Sequence, residues 1–280
     1  MEYNSKEIGG GGVWGPKAWA FLSAVRRQSP LVQCITNFVS MDLMANTLLS
    51  AGASPAMLHS IEEIPDFTPH AHALCINVGT ISPSWLPAMK AAAELSSKLG
   101  KPWVLDPVAC GASSFRLNAC LELVALKPIV IRGNGSEIVA LAKASVEPAK
   151  GVDSIHGSMD AVEAAKSLAQ ESGAIVAVSG AVDIVTDGKR VLGASNGVAM
   201  MQSITATGCS VTALITAFVA VDKIHALEAS VAALSIFGVA GEMGMRLAKG
   251  PASLRMHLID SLYGLDEAAV LSHVNITTLS

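Results

Sequence analysis

The segment Thr205–Ser210 (TATGCS) places small and hydroxyl-bearing residues directly before a long apolar stretch. Small residues let the backbone turn sharply, and the uncovered N–H groups at a helix start carry roughly half a unit of positive charge. The pattern therefore predicts an anion-binding helix start with Gly208 and Cys209 at the turn. The alternative is an ordinary cap, in which Thr207 or Ser210 caps the helix and Cys209 is merely buried. The segment alone favours neither.

A second polar segment, Arg132–Glu137 (RGNGSE), follows the apolar run Pro128–Ile131. The planar guanidinium group of Arg132 suits a phosphate because it donates two parallel hydrogen bonds. Asn134 and Glu137 suit a magnesium ion, which keeps several waters and needs few protein ligands. A turn followed by a capped helix would give the same spacing, so a purely structural interpretation stays open.

A carboxylate also ends a predicted strand, where Asp106 opens the segment DPVACG. There it would point into a cleft and support a bound metal, or it would belong to an ordinary turn. Asp183 and Asp187 lie in or beside a predicted hairpin and are interpreted as structural. The sequence has no H-E-x-x-H, no G-x-x-x-x-G-K-[ST] and no G-x-G-x-x-G between a strand and a helix. Metal-hydrolase, classical P-loop and dinucleotide-binding functions are therefore disfavoured.

The composition indicates a cytosolic chain without membrane or nucleic-acid partners. Hydrophobic residues make up 51% and charged residues 15% of the chain, with a mean hydropathy of +0.48. The apolar run Val211–Val221 has eleven residues, about half of the ~20 that a membrane span needs. A net charge of −4 gives no electrostatic reason for nucleic-acid binding. Five widely spaced cysteines without C-x-x-C, and an N-terminus without a signal-like apolar segment, indicate a reducing compartment.

Short apolar runs alternate with longer helical stretches, the pattern of βα units around a mostly parallel sheet. The predicted strands are Leu31–Thr36, Leu74–Val78, Trp103–Asp106, Pro128–Ile131 and Ala174–Ser179, and then a hairpin of Asp183–Thr186 and Arg190–Ala194. The hairpin is predicted from the pair Asp187-Gly188, which supplies the positive φ angles of a tight turn. The predicted helices are Asp42–Ser50, Pro83–Leu99, Asn118–Ala125, Ser136–Lys143, Ala161–Glu171, Cys209–Val221 and His225–Leu247.

These elements predict a three-layer α/β/α fold whose mostly parallel central sheet carries an antiparallel hairpin at its edge. Ligands of such sheets bind outside the carboxyl ends of the strands, where the three polar segments lie. No linker divides the chain. We therefore expect a flexible extension and first helix over residues 1–29, with a single domain over residues 30–280.

Six segments in this order resemble the hydroxyethylthiazole kinases, the thiamine-salvage branch of the ribokinase-like superfamily, most of all the plant members. They are QCITN at Gln33–Asn37, AGASPAM at Ala51–Met57, NVGT at Asn77–Thr80, DPV at Asp106–Val108, RGNGSE at Arg132–Glu137, and the Gly208-Cys209 turn. Each is weak alone, but together they are specific, and the resemblance covers the chain from about Pro30 to Asp266.

The resemblance implies a ribokinase-like fold and ATP-dependent phosphorylation of the hydroxyl of 4-methyl-5-(2-hydroxyethyl)thiazole with magnesium. It also implies a homotrimer with active sites at subunit boundaries. The implied site residues are Cys209 and Gly208 for catalysis, Arg132, Ser179 and Asn134 for ATP, Glu137 and Asp106 for the metal, and Met57, Ala206 and Asn37 for the thiazole alcohol.

The cysteine itself favours this branch. Sugar-kinase relatives have an aspartate base at the position of Cys209, whereas thiazole kinases characteristically have a cysteine. Since a thiol ionises only when its surroundings lower its pKa, our hypothesis is that Cys209 positions the hydroxyl or acts as a weak base.

Two departures from the family pattern are Ala109-Cys110-Gly111 after DPV and Ala206 in place of the more frequent glycine. Two alternatives to the thiazole kinase remain. One is a related kinase of a pyrimidine or pyridoxal-type alcohol, and the other is a non-catalytic binding protein.

Overall fold

The structure, a computed structural model, describes residues 12–146 and 161–280. The predicted extension and first helix cover residues 1–29, of which residues 1–11 lie outside the described residues. The first described helix begins at Trp14.

Among the described residues, nine strands form one sheet. They are β1 (Leu31–Ile35), β2 (Ser54–Met57), β3 (Ala73–Asn77), β4 (Trp103–Asp106), β5 (Val130–Asn134), β6 (Ile175–Ser179), β7 (Asp183–Thr186), β8 (Val191–Ala194) and β9 (Ile276–Thr278). Their order across the sheet is β2-β1-β3-β4-β5-β6-β7-β8-β9. The first six are parallel, and β7, β8 and β9 add antiparallel pairs at one edge. The predicted mostly parallel sheet with an antiparallel edge is confirmed.

The helices cover both faces of this sheet. They are α1 (Trp14–Gln28), α2 (Met41–Ala51), α3 (Ile64–Phe67), α4 (Leu86–Lys98), α5 (Ser114–Ala125), α6 (Gly135–Val146), α7 (Ala161–Ser172), α8 (Thr207–Val221), α9 (Ala226–Met245), α10 (Pro251–Gly264) and α11 (Glu267–His273). One core layer packs α1, α2, α8 and α9 against the sheet, and the other packs α4, α5, α6 and α7 against its opposite face.

Two of the strands, β2 and β9, were not predicted from the sequence. The strand β2 contains Pro55 and only four residues, and β9 is a three-residue strand at the far edge of the sheet. Both are short edge strands, whose apolar pattern is too brief to detect from sequence. Edge position also explains the proline, because its missing N–H costs no hydrogen bond on the outer side.

The hairpin between β7 and β8 is less tight than predicted. Four residues connect the two strands, and Gly188 alone among them has a positive φ, of 87°. The Asp187 carboxylate accepts hydrogen bonds from the N–H groups of Lys189 and Arg190, so a side chain stabilises the turn in place of a second positive φ angle. Asp187 therefore has the structural role that the sequence predicted.

Among the described residues, α9 is the one helix that is both long enough and apolar enough to cross a membrane. However, 83% of its most apolar 18-residue window is buried inside the fold. With 20 residues, α9 is longer than the apolar run Val211–Val221. Its burial among α1, α8 and α10 identifies it as a core helix, which accounts for much of the apolar composition.

Candidate active site

Four polar side chains at the carboxyl ends of neighbouring strands face α8. Alternate residues of a strand point to the same face, and Cys75, Val104, Val130 and Ala177 all belong to the core layer on the α8 side. Two positions further along β3, β4, β5 and β6 come Asn77, Asp106, Arg132 and Ser179. The pairings of Asn77 with Asp106 and of Asn134 with Ser179 align these strand ends. The alternation of the strands therefore gathers the polar groups under the start of α8.

The Arg132 side chain is held between β6 and α8. Its Nε and Nη2 atoms donate to Ser179 Oγ at 3.0 and 2.6 Å. A Cβ atom on Gly208 would lie 2.7 Å from Arg132 Nη1, so only glycine lets the guanidinium group lie against the helix start. Arg132, Ser179 and Gly208, which the resemblance places together, form one cluster in the structure.

The start of α8 has no side-chain cap. Its N-cap residue is Ala206, in the left-handed region at φ 66°, and the Thr207 hydroxyl donates backwards to the carbonyls of Met201 and Ile204. Ser210 Oγ is buried without a partner among the described residues. The alternative in which Thr207 or Ser210 caps this helix is therefore wrong. The helix start keeps free N–H groups that can bind an anion.

Asp106 is fully buried beneath this helix start. Its Oδ2 atom accepts from Thr212 Oγ1 and Asn77 Nδ2, both at 2.8 Å, and lies 3.9 Å from Arg132 Nη1. Its Oδ1 atom has no partner among the described residues. Burial raises the pKa of the Asp106 carboxyl to about 6, against the opposing effect of Arg132.

The Cys209 side chain lies close to that of Asn37, which follows the end of β1. Asn37 Nδ2 is 3.5 Å from Cys209 Sγ. Burial first, and then the nearby Asp106 carboxylate, raise the pKa of the Cys209 thiol to about 11, although Asn37, Asn77 and Arg132 oppose the shift. At neutral pH the group is therefore a thiol, which contradicts a role as a base with an appreciable thiolate fraction.

The turn after β5 has the helix-cap geometry that was one of the two interpretations of its sequence. Asn134 Oδ1 accepts from Glu137 N and Ser136 Oγ, the geometry of a helix cap. The two carboxylate oxygens of Glu137 accept from Ala109 N and Asn134 N, both at 2.8 Å, which ties the turn after β4 to the turn after β5. Ala109, whose N–H makes one of these contacts, has a left-handed φ of 52°. It lies in the segment where the sequence departs from the family pattern.

A cavity of about 360 Å³ opens beside Arg132 and Ser179. Its polar lining includes Arg132, Ser179, Thr207 and the backbone of Gly208, and its apolar lining includes Val198, Met201, Val211, Leu234 and Phe237. Asp183 also lines it and accepts from Gly180 N, so this residue borders the site as well as holding the hairpin. The apolar lining could not be found from sequence, because its residues in α8, in α9 and in the segment before α8 look like ordinary core positions.

Two further predicted site residues lie at this edge of the sheet. Met57 is the last residue of β2 and pairs with Cys34 of β1. Thr36 and Asn37 follow the end of β1. Ala206 directly precedes Thr207 at the start of α8. Both residues are half-buried.

The buried Asp106 carboxyl predicts a pH dependence of stability. The pKa of Asp106 in the folded protein, about 6, exceeds the 3.8 of a free carboxyl, so the folded protein binds this proton more strongly than the unfolded chain does. The contribution of the protonated carboxyl to stability therefore falls as the pH rises from about 4 to 6. Asp106→Asn removes this loss. We expect the free energy of unfolding of the variant, relative to the original, to rise by about 2 kcal/mol between pH 4.5 and 7 in urea titrations.

Burial also raises the pKa of the Asp183 carboxyl to about 6, so the variant keeps part of the overall slope. The comparison therefore uses the difference between the two proteins at each pH. A difference that stays constant across this range would contradict the assignment to Asp106.

The chain is similar to known proteins over nearly its whole length. It is 70% identical over 266 residues to a hydroxyethylthiazole kinase of Arabidopsis thaliana, covering 95% of this chain and 96% of the relative. It is 62% identical over 281 residues to a hydroxyethylthiazole kinase of Zea mays, covering 99% of both. These relatives agree with the plant-type resemblance of the sequence.

Solved structures agree with the fold. The structure of a hydroxyethylthiazole kinase protein from Pyrococcus horikoshii matches with a TM-score of 0.86 at 39% identity, covering 94% of this chain and 99% of that one. A ribokinase-like superfamily protein from Enterococcus faecalis matches with a TM-score of 0.59 at 11% identity, covering 84% and 86%, which shows the fold alone. The predicted ribokinase-like fold is confirmed. The model of the hydroxyethylthiazole kinase family matches residues 22–268, and this chain belongs to that family.

Proposed function

We propose that the protein transfers the γ-phosphoryl group of ATP to the hydroxyl of 4-methyl-5-(2-hydroxyethyl)thiazole, a reaction of thiamine salvage. The observation that carries the proposal is the helix start of α8. It has uncapped N–H groups, Arg132 lies against Gly208 on one side, and Cys209 meets Asn37 on the other. The cavity beside Arg132 thus adjoins one flank of this helix start, and the small alcohol would lie on the opposite flank.

ATP would occupy the cavity of about 360 Å³. Its phosphates would lie at the polar lining, against Arg132 and Ser179 and towards Asn134, and its base against the apolar lining contributed by α8 and α9. Because Ser179 Oγ holds two nitrogens of the guanidinium group, Arg132 meets the phosphates with its position already fixed. Such fixed positive charge stabilises the charge of the transferring phosphoryl group.

A magnesium ion fits the donor set at the turn after β5. The described residues include no cluster of three or more His, Cys, Asp or Glu side chains that would hold a metal alone. Magnesium keeps several waters and binds chiefly to substrate phosphates, so one or two carboxylates suffice. Glu137 would hold it, since each of its oxygens accepts one N–H and retains a free lone pair, with Asn134 beside it and Asp106 as buried support. When bound, the ion neutralises charge on the triphosphate.

The thiazole alcohol would contact Asn37, Cys209 and the backbone of Met57 and Ala206. Its hydroxyl oxygen forms a bond to the γ-phosphorus while the bond from that phosphorus to the bridging oxygen breaks, and ADP leaves with the electron pair. The hydroxyl proton passes to the transferred phosphoryl oxygens, because the Cys209 thiol is already protonated. Phosphoryl transfer needs positioning and charge neutralisation more than a strong base, so this arrangement is sufficient.

The resemblance further supports a cytosolic homotrimer with active sites at subunit boundaries. All five cysteines are free, as a reducing compartment requires. Phe38 and Val39 directly follow Asn37 and are 69% and 59% exposed. Exposed apolar side chains beside a site are the kind of surface that a neighbouring subunit covers.

The first test is the reaction itself. Purified protein incubated with magnesium-ATP and the thiazole alcohol should form the phosphate ester, detected by mass spectrometry. Pyridoxal and a hydroxymethylpyrimidine in parallel reactions provide the specificity control. No thiazole ester, or faster turnover of another alcohol, would contradict the proposal.

The second prediction concerns Cys209. A general base contributes about 10²- to 10⁴-fold to a rate, so Cys209→Ala should lower kcat by less than about a hundredfold if the thiol only positions the alcohol. Cys209→Asp should keep or raise kcat, because a carboxylate is the stronger base at neutral pH. Both are measured by steady-state kinetics with a check of the folded state. Inactivity of folded Cys209→Asp would show that the thiol has a role that a carboxylate cannot fill.

The third prediction concerns the close approach of Arg132 to the helix. Gly208→Ala would place a methyl group 2.7 Å from Arg132 Nη1 and displace the flexible guanidinium group. Misplacement by about 1 Å costs about a hundredfold, so kcat/KM should fall by about ten- to a hundredfold while the melting temperature changes little. Ser210→Ala, which removes a hydroxyl without partners from the same helix turn, is the matched control and should stay near the original activity.

A further inference from the structure

Two buried asparagines connect the Asp106 carboxylate to the Cys209 thiol. Asn77 is fully buried and Asn37 is 5% exposed. Asn77 Nδ2 donates to Asp106 Oδ2 at 2.8 Å, and Asn37 Nδ2 donates to Asn77 Oδ1 at 2.7 Å. Asn37 Nδ2 also lies 3.5 Å from Cys209 Sγ. The four side chains form a continuous chain of hydrogen bonds.

The orientation of the Asn77 amide is fixed by the backbone. Gly79 N–H donates to Asn77 Oδ1 at 2.9 Å. A backbone N–H can only donate, so the amide atom next to it must be the oxygen. The nitrogen of Asn77 must then face Asp106, which matches the acceptor character of the carboxylate.

The orientation of the Asn37 amide is fixed in the same way. The N–H groups of Val39 and Ser40 both donate to Asn37 Oδ1 at 3.0 Å. Its nitrogen must therefore face Asn77 and Cys209. One of its two hydrogens bonds to Asn77 Oδ1, and the other is directed at the sulfur.

We propose that Asn77 is a positioning residue for the transfer reaction, which acts through Asn37 on the Cys209 thiol. Asn77 holds the Asn37 amide so that its N–H points at the sulfur. The sulfur accepts this hydrogen bond, and the thiol hydrogen is left to donate away from Asn37, towards the bound substrates. This inference rests on the proposed function for the identity of those substrates.

The arrangement makes the thiol a hydrogen-bond donor rather than a proton acceptor. A donor at the helix start adds to the N–H groups and Arg132 around the transferring phosphoryl group. The same Asn37 N–H would stabilise a carboxylate placed at this position. The positioning residue therefore acts on whichever group stands at the helix start.

The inference is tested by the alkylation rate of Cys209 in the enzyme without substrates. Four of the five cysteines are buried and Cys209 is partly exposed, so iodoacetamide at pH 8.5 should modify Cys209 selectively, with peptide mass spectrometry to confirm the site. Loss of the N–H bond to sulfur lowers the thiolate fraction. Asn77→Ser should therefore slow alkylation by about threefold to tenfold.

The matched control is Thr212→Val. Thr212 Oγ1 is the other donor to Asp106 Oδ2, also at 2.8 Å, but it takes no part in the contacts of Asn37. If Asn77 only supported Asp106, both variants would behave alike. We expect Thr212→Val to alkylate at the original rate.

A second variant covers the case in which Asn77→Ser fails to fold. Asn37→Ser removes the N–H donor directly, leaves the bonds of Asp106 in place, and keeps a hydroxyl oxygen to accept from Ser40 N. It should slow alkylation as much as Asn77→Ser. An alkylation rate at or above the original in the folded variants would overturn the inference.

The kinetic test is a double-mutant cycle with Cys209→Ala. The loss of kcat caused by Asn77→Ser should shrink in the Cys209→Ala background, whereas that of Thr212→Val should be the same in both. Equal, additive losses for Asn77→Ser would assign it a purely structural role and overturn the inference. Alkylation uses neither ATP nor the alcohol, so a failed phosphorylation assay remains a separate result.

Discussion

The site depends on burying the Asp106 carboxylate beneath the start of α8. A carboxylate removed from water must be hydrogen-bonded, and the partners of Asp106 come from different elements: Asn77 from β3, Thr212 from α8, and Arg132 of β5 at 3.9 Å. Two of these partners make a second contact, since Arg132 lies against Gly208 and Asn77 Oδ1 accepts a hydrogen bond from Asn37. The burial of one charge therefore fixes the relative positions of the strand ends and the helix start.

Opposing effects on the Cys209 thiol decide how the protein performs its chemistry. A helix start and a nearby arginine lower the pKa of a thiol, whereas burial raises it. Here burial outweighs the other effects, and the pKa of Cys209 rises to about 11. The groups at the helix start that can interact with negative charge at neutral pH are the N–H groups of α8 and the guanidinium group of Arg132.

The apolar composition serves the same site. Helices α8 and α9 are buried along most of their length and form the core layer that also lines the cavity beside Arg132. Asp183, the first residue of β7, also lines the cavity and accepts a hydrogen bond from the N–H of Gly180 in the turn after β6. The apolar core and the cavity therefore share residues.

The sequence by itself determined the layers of the fold and most of the polar site. Its alternation of apolar runs and helices identified the parallel strands, and six short segments placed Arg132, Asp106, Asn37 and Cys209 in one family pattern. Tertiary structure alone decided the edge strands β2 and β9, the apolar lining of the cavity, and the contacts of Asn77. The physical reason is that short strands carry too few residues for a detectable period, and core residues look alike wherever they lie. The orientation of an amide depends on neighbours far along the chain: Asn77 meets Asn37 forty positions away and Asp106 twenty-nine positions away.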